Sequence, residues 1–145
     1  MTDAYPPSVC ATDTWWVKHV CRPLAEPLVW LLLPTRVTAN QVTWAWLLVS
    51  WLGCGLLPWH PLLGVLLLHA GYVLDSVDGQ IARVRGTDSP TGTYFDLMVH
   101  ALIRPALFMG VAVGLWLQTG QIWWVLVGTL ASVSALLDRL TGLLP

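Results

Sequence analysis

The residues able to do chemistry cluster between Asp75 and His100. Asp75 and Asp78 are three positions apart and Asp96 and His100 four, so on helices each pair shares a face. Gly79, Arg83, Arg85 and Gly92 lie between the pairs. A carboxylate near a bilayer core costs roughly 2.5–3.5 kcal/mol on insertion scales, so Asp75, Asp78 and Asp96 together cost roughly 8–10 kcal/mol if nothing compensates them. Hard divalent cations compensate carboxylates, and Mg²⁺ prefers few carboxylates plus substrate phosphates. Gly79, next to Asp78, lets a ligand approach the backbone, and Arg83 and Arg85 offer phosphate contacts. The expected chemistry is a divalent-metal site for a phosphorylated substrate of pyrophosphate type.

Composition says where this chemistry takes place. The chain has 145 residues, 56% hydrophobic and 10% charged, with a mean hydropathy of +0.66. Soluble domains carry about 25% charged residues. The chain reads as an all-α integral membrane protein. Its net charge of −1, with no basic patch, gives no footprint for nucleic acid. Cys10, Cys21 and Cys54 lack metal-ligand spacing and read as small apolar fillers. The first dozen residues carry one acid, Asp3, and no base where a secretory signal would carry bases.

The elements that must position the acids follow in chain order. Residues 1–12 read as a disordered terminus, and 13–145 as one transmembrane domain. From Asp13 or Thr14 a helix starts that Pro23 and Pro27 break and that Lys18, Arg22 and Glu26 interrupt. It suits an amphipathic helix lying in the interface, with Trp15, Trp16 and Trp30 as anchors. Four transmembrane helices are expected, near Gln41–Leu57, Leu62–Gly79, Pro90–Leu117 and Gln121–Leu137. Asn40 caps the first, and Ser89 with Pro90 starts the third after a polar loop, Val84–Ser89. Lys18, Arg22, Arg36, Arg83, Arg85 and Arg139 fall on one side of this arrangement, which puts the acids at the cytoplasmic face. The antiparallel second and third spans bring both acid pairs to that face, together with the N-termini of the first and third spans, which favour anions. Most of the ten tryptophans fall near span ends, as in an aromatic belt. Gly110 and Gly114 suit either close packing within the chain or a homodimer face.

The pattern D-x2-D-G-x2-A-R-x8-G-x3-D-x3-D defines the CDP-alcohol phosphotransferases, and this sequence resembles it. Asp75, Asp78, Gly79, Ala82, Arg83, Gly92 and Asp96 fill its first seven fixed positions. Upstream, TANQVT (38–43) is similar to the segment that opens the first transmembrane helix of that family. The resemblance implies that Asp75, Asp78 and Asp96 hold a pair of Mg²⁺ or Mn²⁺ ions against the diphosphate of a CDP-alcohol. Gly79, Ala82, Arg83 and Gly92 would line the nucleotide and phosphate site, with Asn40 and Thr43 at the nucleotide. The implied reaction moves a phospho-alcohol from a donor such as CDP-diacylglycerol to an acceptor hydroxyl, releasing CMP, in phospholipid synthesis.

Two departures carry consequences. The eighth position of the pattern, an aspartate that acts as base in the family, is His100. As a base, neutral imidazole fits, with a reference pKa of about 6.5. The same ring is also a possible metal ligand, or the mark of a catalytically silent member that binds nucleotide or lipid or serves as an assembly partner. The family usually has six spans and this sequence shows four, so either a longer chain or association between copies would complete the site. Arg104, four residues past His100, is placed to bind an acceptor phosphate or to pair with Asp96, and Pro105 beside it should bend the helix.

Overall fold

The computed structural model describes residues 15–141, with side chains through Asp138; the terminus 1–12 and the Asp13/Thr14 cap lie outside the described residues. Among the described residues every regular element is a helix. A π-helical turn, Val17–Cys21, runs into α1, Arg22–Leu32, followed by α2, Ala39–Leu56, α3, Pro61–Arg85, α4, Pro90–Thr119, and α5, Trp123–Thr141.

The boundaries show which local signals prevailed. Pro23 and Pro27 do not break the first element: Pro23 sits in the first turn of α1 and Pro27 inside it. A proline ring crowds the carbonyl four residues back, and the helix widens into the π turn immediately before Pro23. Thr38, not Asn40, caps α2. Its hydroxyl accepts from the Gln41 N–H at 3.3 Å, and the Gln41 side chain accepts from the Thr38 N–H at 2.9 Å. Only Thr38 has a glutamine three residues on, which this reciprocal box requires. α3 continues six residues past Gly79, to Arg85. Val77 and Ile81 on either side of Gly79 are fully buried, and that packing outweighs the ~1 kcal/mol a helical glycine costs. Gly86, at φ 62°, then ends the helix in the left-handed conformation. Ser89 caps α4 as expected, accepting from the Gly92 N–H at 3.1 Å.

α2 is the centre of the packing: it lies against both α3 and α4, while α1 packs on α3 and α5 on α4. α3 and α4 do not pack backbone to backbone, and the space between them holds the site. One apolar cluster joins Ala25 and Val29 of α1 to Val42 of α2 and to Val73, Val77 and Ile81 of α3. A second joins Trp46 and Cys54 of α2 to Val99 and Ile103 of α4. Gly110 and Gly114 are buried against α2, where a Cβ on Gly110 would come 2.6 Å from the Cys54 carbonyl. That pair of glycines serves packing within the chain.

The outer surface is apolar along whole helix faces. Trp44, Leu48, Trp51 and Leu52 of α2, Leu62, Leu63, Val65 and Leu66 of α3, and Leu126, Leu130, Val133 and Leu137 of α5 are all exposed. Surface of that extent suits an apolar environment such as a membrane better than water. α3 and α4, at 25 and 30 residues, are long and apolar enough to cross a membrane. α2 has 18 residues, among them Asn40 and Gln41, and the apolar stretch of α5 is Trp123–Asp138, so two of the four expected spans are shorter than a standard crossing.

Candidate active site

α2 positions the first half of the site. Thr43 and Trp46, three residues apart, share one face and both reach across to α3. The Thr43 hydroxyl donates to Asp78 Oδ2 at 2.6 Å, and the Trp46 indole N–H donates to the same oxygen at 3.1 Å. Asp78 is 7% exposed, and two directed donors satisfy a carboxylate that burial would otherwise penalise.

Asp75, one turn earlier on α3, faces α4 instead. His100 Nε2 stands 3.5 Å from Asp75 Oδ1 and 3.7 Å from Asp96 Oδ1. One ligand atom from each of Asp75, Asp96 and His100 falls within 4.8 Å of the others. The Trp46 ring packs on the His100 imidazole with centroids 5.0 Å apart, so one tryptophan touches both halves. Of the acids expected to hold metal, the structure gathers Asp75 and Asp96 around His100 and holds Asp78 on α2. All three still line a single cavity.

That cavity measures about 510 Å³. Asn40, Thr43, Asp75, Asp78, Gly79, Ala82, Arg83, Gly92 and Asp96 line it, which covers the expected nucleotide and metal positions. Arg83 folds its guanidinium over Gly79, where a Cβ would meet Nη1 at 3.4 Å. His100 does not line this cavity. It lines a smaller one of about 60 Å³ with Trp46, Ser50, Leu68, Tyr72, Ile103, Arg104 and Leu107, and Asp75 borders both.

Besides Trp46, three arginines fall differently from expectation or were missed by it. Arg85 points away from the site: its guanidinium bonds the carbonyls of Leu32, Leu33, Thr35 and Val37 and ties the α1–α2 link to the end of α3. Arg104 pairs with Asp138 of α5 at 3.7 Å, not with Asp96. Arg22 lines the large cavity, although its sequence context marks only an interfacial helix. The packing of α1 on α3 puts it there, a long-range relation with no local signature.

The donor set of two carboxylates and an imidazole suits a divalent cation, and its spread matches ligand distances of ~2.0–2.6 Å about a shared centre. The cavity bordered by this set has Arg22, Arg83 and the first turns of α2 and α4 opening onto it, groups that favour an anion. The sequence profile of the CDP-alcohol phosphatidyltransferases matches residues 32–141, and the chain belongs to that family. It is also 31% identical over 98 residues to a Rubrobacter xylanophilus protein named bifunctional IPC transferase and DIPP synthase. The match covers 67% of this chain and 22% of that protein, so the chain spans about a fifth of the relative's length.

Proposed function

We propose that this chain transfers a phospho-alcohol group from a CDP-alcohol, of which CDP-diacylglycerol is the leading candidate, to an acceptor hydroxyl, with release of CMP in phospholipid synthesis. One observation carries the reading: Asp75, Asp96 and His100 converge at the border of the polar cavity that Asp78, Gly79, Ala82 and Arg83 line. The family membership and the transferase in the relative's name support it.

In this mechanism Asp75, Asp78 and Asp96 would hold Mg²⁺ or Mn²⁺, in the family manner a pair of ions. The bound cations would neutralise charge on the diphosphate. Thr43 and Trp46 fix the orientation of Asp78. Asn40, Gly79, Ala82 and Gly92 leave room for the nucleotide, and Arg83 faces its phosphates. His100 takes the proton of the attacking hydroxyl, and Asp75 beside it stabilises the imidazolium that results. The site faces the cytoplasm in a four-span chain that associates as a homodimer, the charge asymmetry of the loops supporting the first.

The test is incubation of purified protein with Mn²⁺, CDP-diacylglycerol and a panel of acceptors, read by CMP release. Metal-dependent CMP formation is expected. Tight CDP binding with no CMP formed across the panel would instead support the silent, nucleotide-binding reading that the histidine at position 100 motivates.

A further inference from the structure

The walls of the large cavity come from elements that do not all pack on one another. Much of its lining lies on α3, and α4 adds Gly92, Thr93 and Asp96. Val17 and Arg22 come from the π turn and the start of α1, which pack on α3 and not on α4. Among the described residues, four carboxylates line the cavity, Asp75, Asp78, Asp88 and Asp96, and two guanidiniums, Arg22 and Arg83. Arg83 lies over Gly79 of its own helix, and Arg85 is engaged with the α1–α2 link. Arg22 is therefore the arginine that reaches the cavity from outside α3.

The local backbone is built to put it there. The Arg22 N–H bonds the carbonyl of Val17, five residues back. In a regular helix residues five apart diverge by about 140°, and a π turn closes most of that angle, so Val17 and Arg22 open onto the same cavity. Such turns are rare and tend to fall at functional sites. The rotation of the helix is fixed by Cys21, Ala25 and Val29, all fully buried, while Trp16, Leu24, Trp30 and Leu31 are exposed. An arginine at a membrane surface ordinarily extends its head into water. Nη1 of Arg22 is instead buried. A buried cationic nitrogen requires opposite charge nearby, and a guanidinium fork matches two oxygens of one phosphate.

We infer that Arg22 is a binding residue for the donor, and that it grips the donor diphosphate from the α1 wall of the cavity. The inference rests on the transfer reading above. Arg22 and Arg83 then approach the diphosphate from different helices, and the first helix is a working wall of the site rather than only a surface anchor. Arg22 holds phosphate in the bound donor and in the CMP that leaves. Its loss therefore raises the KM for the donor more than it lowers kcat. Cytidine, which has no phosphate, binds without it.

Two experiments on the chain in nanodiscs with Mn²⁺ test this, and neither needs turnover. In the first, calorimetry compares wild type, Arg22→Gln and Arg22→Lys for CDP, CMP and cytidine. Arg22→Gln should bind CDP and CMP about 10- to 100-fold more weakly, as loss of a hydrogen bond to a charged group implies, with cytidine affinity unchanged. Arg22→Lys keeps the charge without the fork and should fall between. Wild-type CDP affinity in Arg22→Gln overturns the inference. Equal loss for CDP and cytidine overturns it as well, because a cavity that has merely lost its shape loses both. The second experiment needs no variant. Phenylglyoxal modifies arginines, and peptide mass spectrometry reads which. CDP should protect Arg22 and Arg83, cytidine should not protect Arg22, and Arg36, exposed in the α1–α2 link, should react throughout. Protection of Arg83 without Arg22 overturns the inference and leaves the transfer reading intact, whereas no CDP binding by the wild type overturns the transfer reading itself.

Discussion

His100 Nε2 lies 3.5 Å from Asp75 Oδ1, and this contact bridges two helices whose backbones do not pack together. The ring can therefore be removed without removing a packing surface, apart from its contact with Trp46. His100→Asn should lower CMP release by about 10²–10⁴-fold, the usual worth of a general base, while CDP affinity measured by calorimetry stays near that of the wild type. His100→Asp, which restores the family residue, should recover much of the rate. Full activity in His100→Asn would exclude the histidine as base.

Asp75 and Asp96 offer carboxylate oxygens to one centre, whereas both donors to Asp78 come from α2. Loss of Mn²⁺ binding, followed by electron paramagnetic resonance of free ion, should be greatest in Asp75→Asn and Asp96→Asn, with CMP release abolished in both. His100→Asn should bind the ion nearly as well as wild type. A nitrogen coupling on bound Mn²⁺ that disappears in His100→Asn would instead make the ring a ligand. Chelation should stop turnover, and added Mn²⁺ should restore it.

Trp46 donates to Asp78 and packs its ring on His100, and it is 3% exposed. Trp46→Phe keeps a ring and removes the N–H. A buried acceptor that loses a donor costs about 1–3 kcal/mol, so denaturant unfolding should show a loss of that size. Thr43→Val should do the same to the same oxygen. Because both donors serve one carboxylate, the double variant should depart from the sum of the two, which a double-mutant cycle would measure.

Much of this site is legible in the sequence, for a physical reason. The motif residues lie on two successive helices joined by a short link, so helical spacing and antiparallel direction bring Asp75, Asp78, Arg83, Gly92 and Asp96 to one cavity. The spacing of Asp75 and Asp78 did not reveal that they face different helices. At three residues apart two side chains diverge by about 60° around a 3.6-residue turn, enough for one to meet α4 and the other α2. Nor did it reveal Trp46, Arg22 or the carbonyls that hold Arg85. Those contacts depend on how α1 and α2 lie on α3, which no local pattern encodes. The expected end near Gly79 falls six residues short of the observed end of α3, because Val77 and Ile81 bury fully on either side of that glycine.

Gly110 and Gly55 give a matched pair of glycine tests. A Cβ at Gly110 would stand 2.6 Å from a backbone carbonyl of α2, which cannot move like a side-chain tip, whereas a Cβ at Gly55 meets nothing within 4 Å. Gly110→Ala should push α4 off α2, lower the unfolding temperature, and reduce turnover because α4 carries Asp96 and His100. Gly55→Ala should be neutral or stabilising, by up to the ~1 kcal/mol that separates the two residues in a helix. Equal effects would mean that α2 and α4 do not pack as described.

Arg85 holds the α1–α2 link through the carbonyls of Leu32, Leu33, Thr35 and Val37, and α2 begins directly after that link. The planar fork matters more than the charge, since a lysine ammonium is a single point with no second nitrogen to span several carbonyls. Arg85→Lys should therefore cost stability by about 1.5–3 kcal/mol, the worth of a hydrogen bond to a charged group. On the proposed function it should also raise the dissociation constant for CDP, because Asn40 and Thr43 line the larger cavity from the start of α2. Were Arg85 a phosphate contact instead, Arg85→Lys would keep most of the affinity and leave unfolding unchanged. Chemical denaturation and CDP calorimetry on the same preparation separate the two roles.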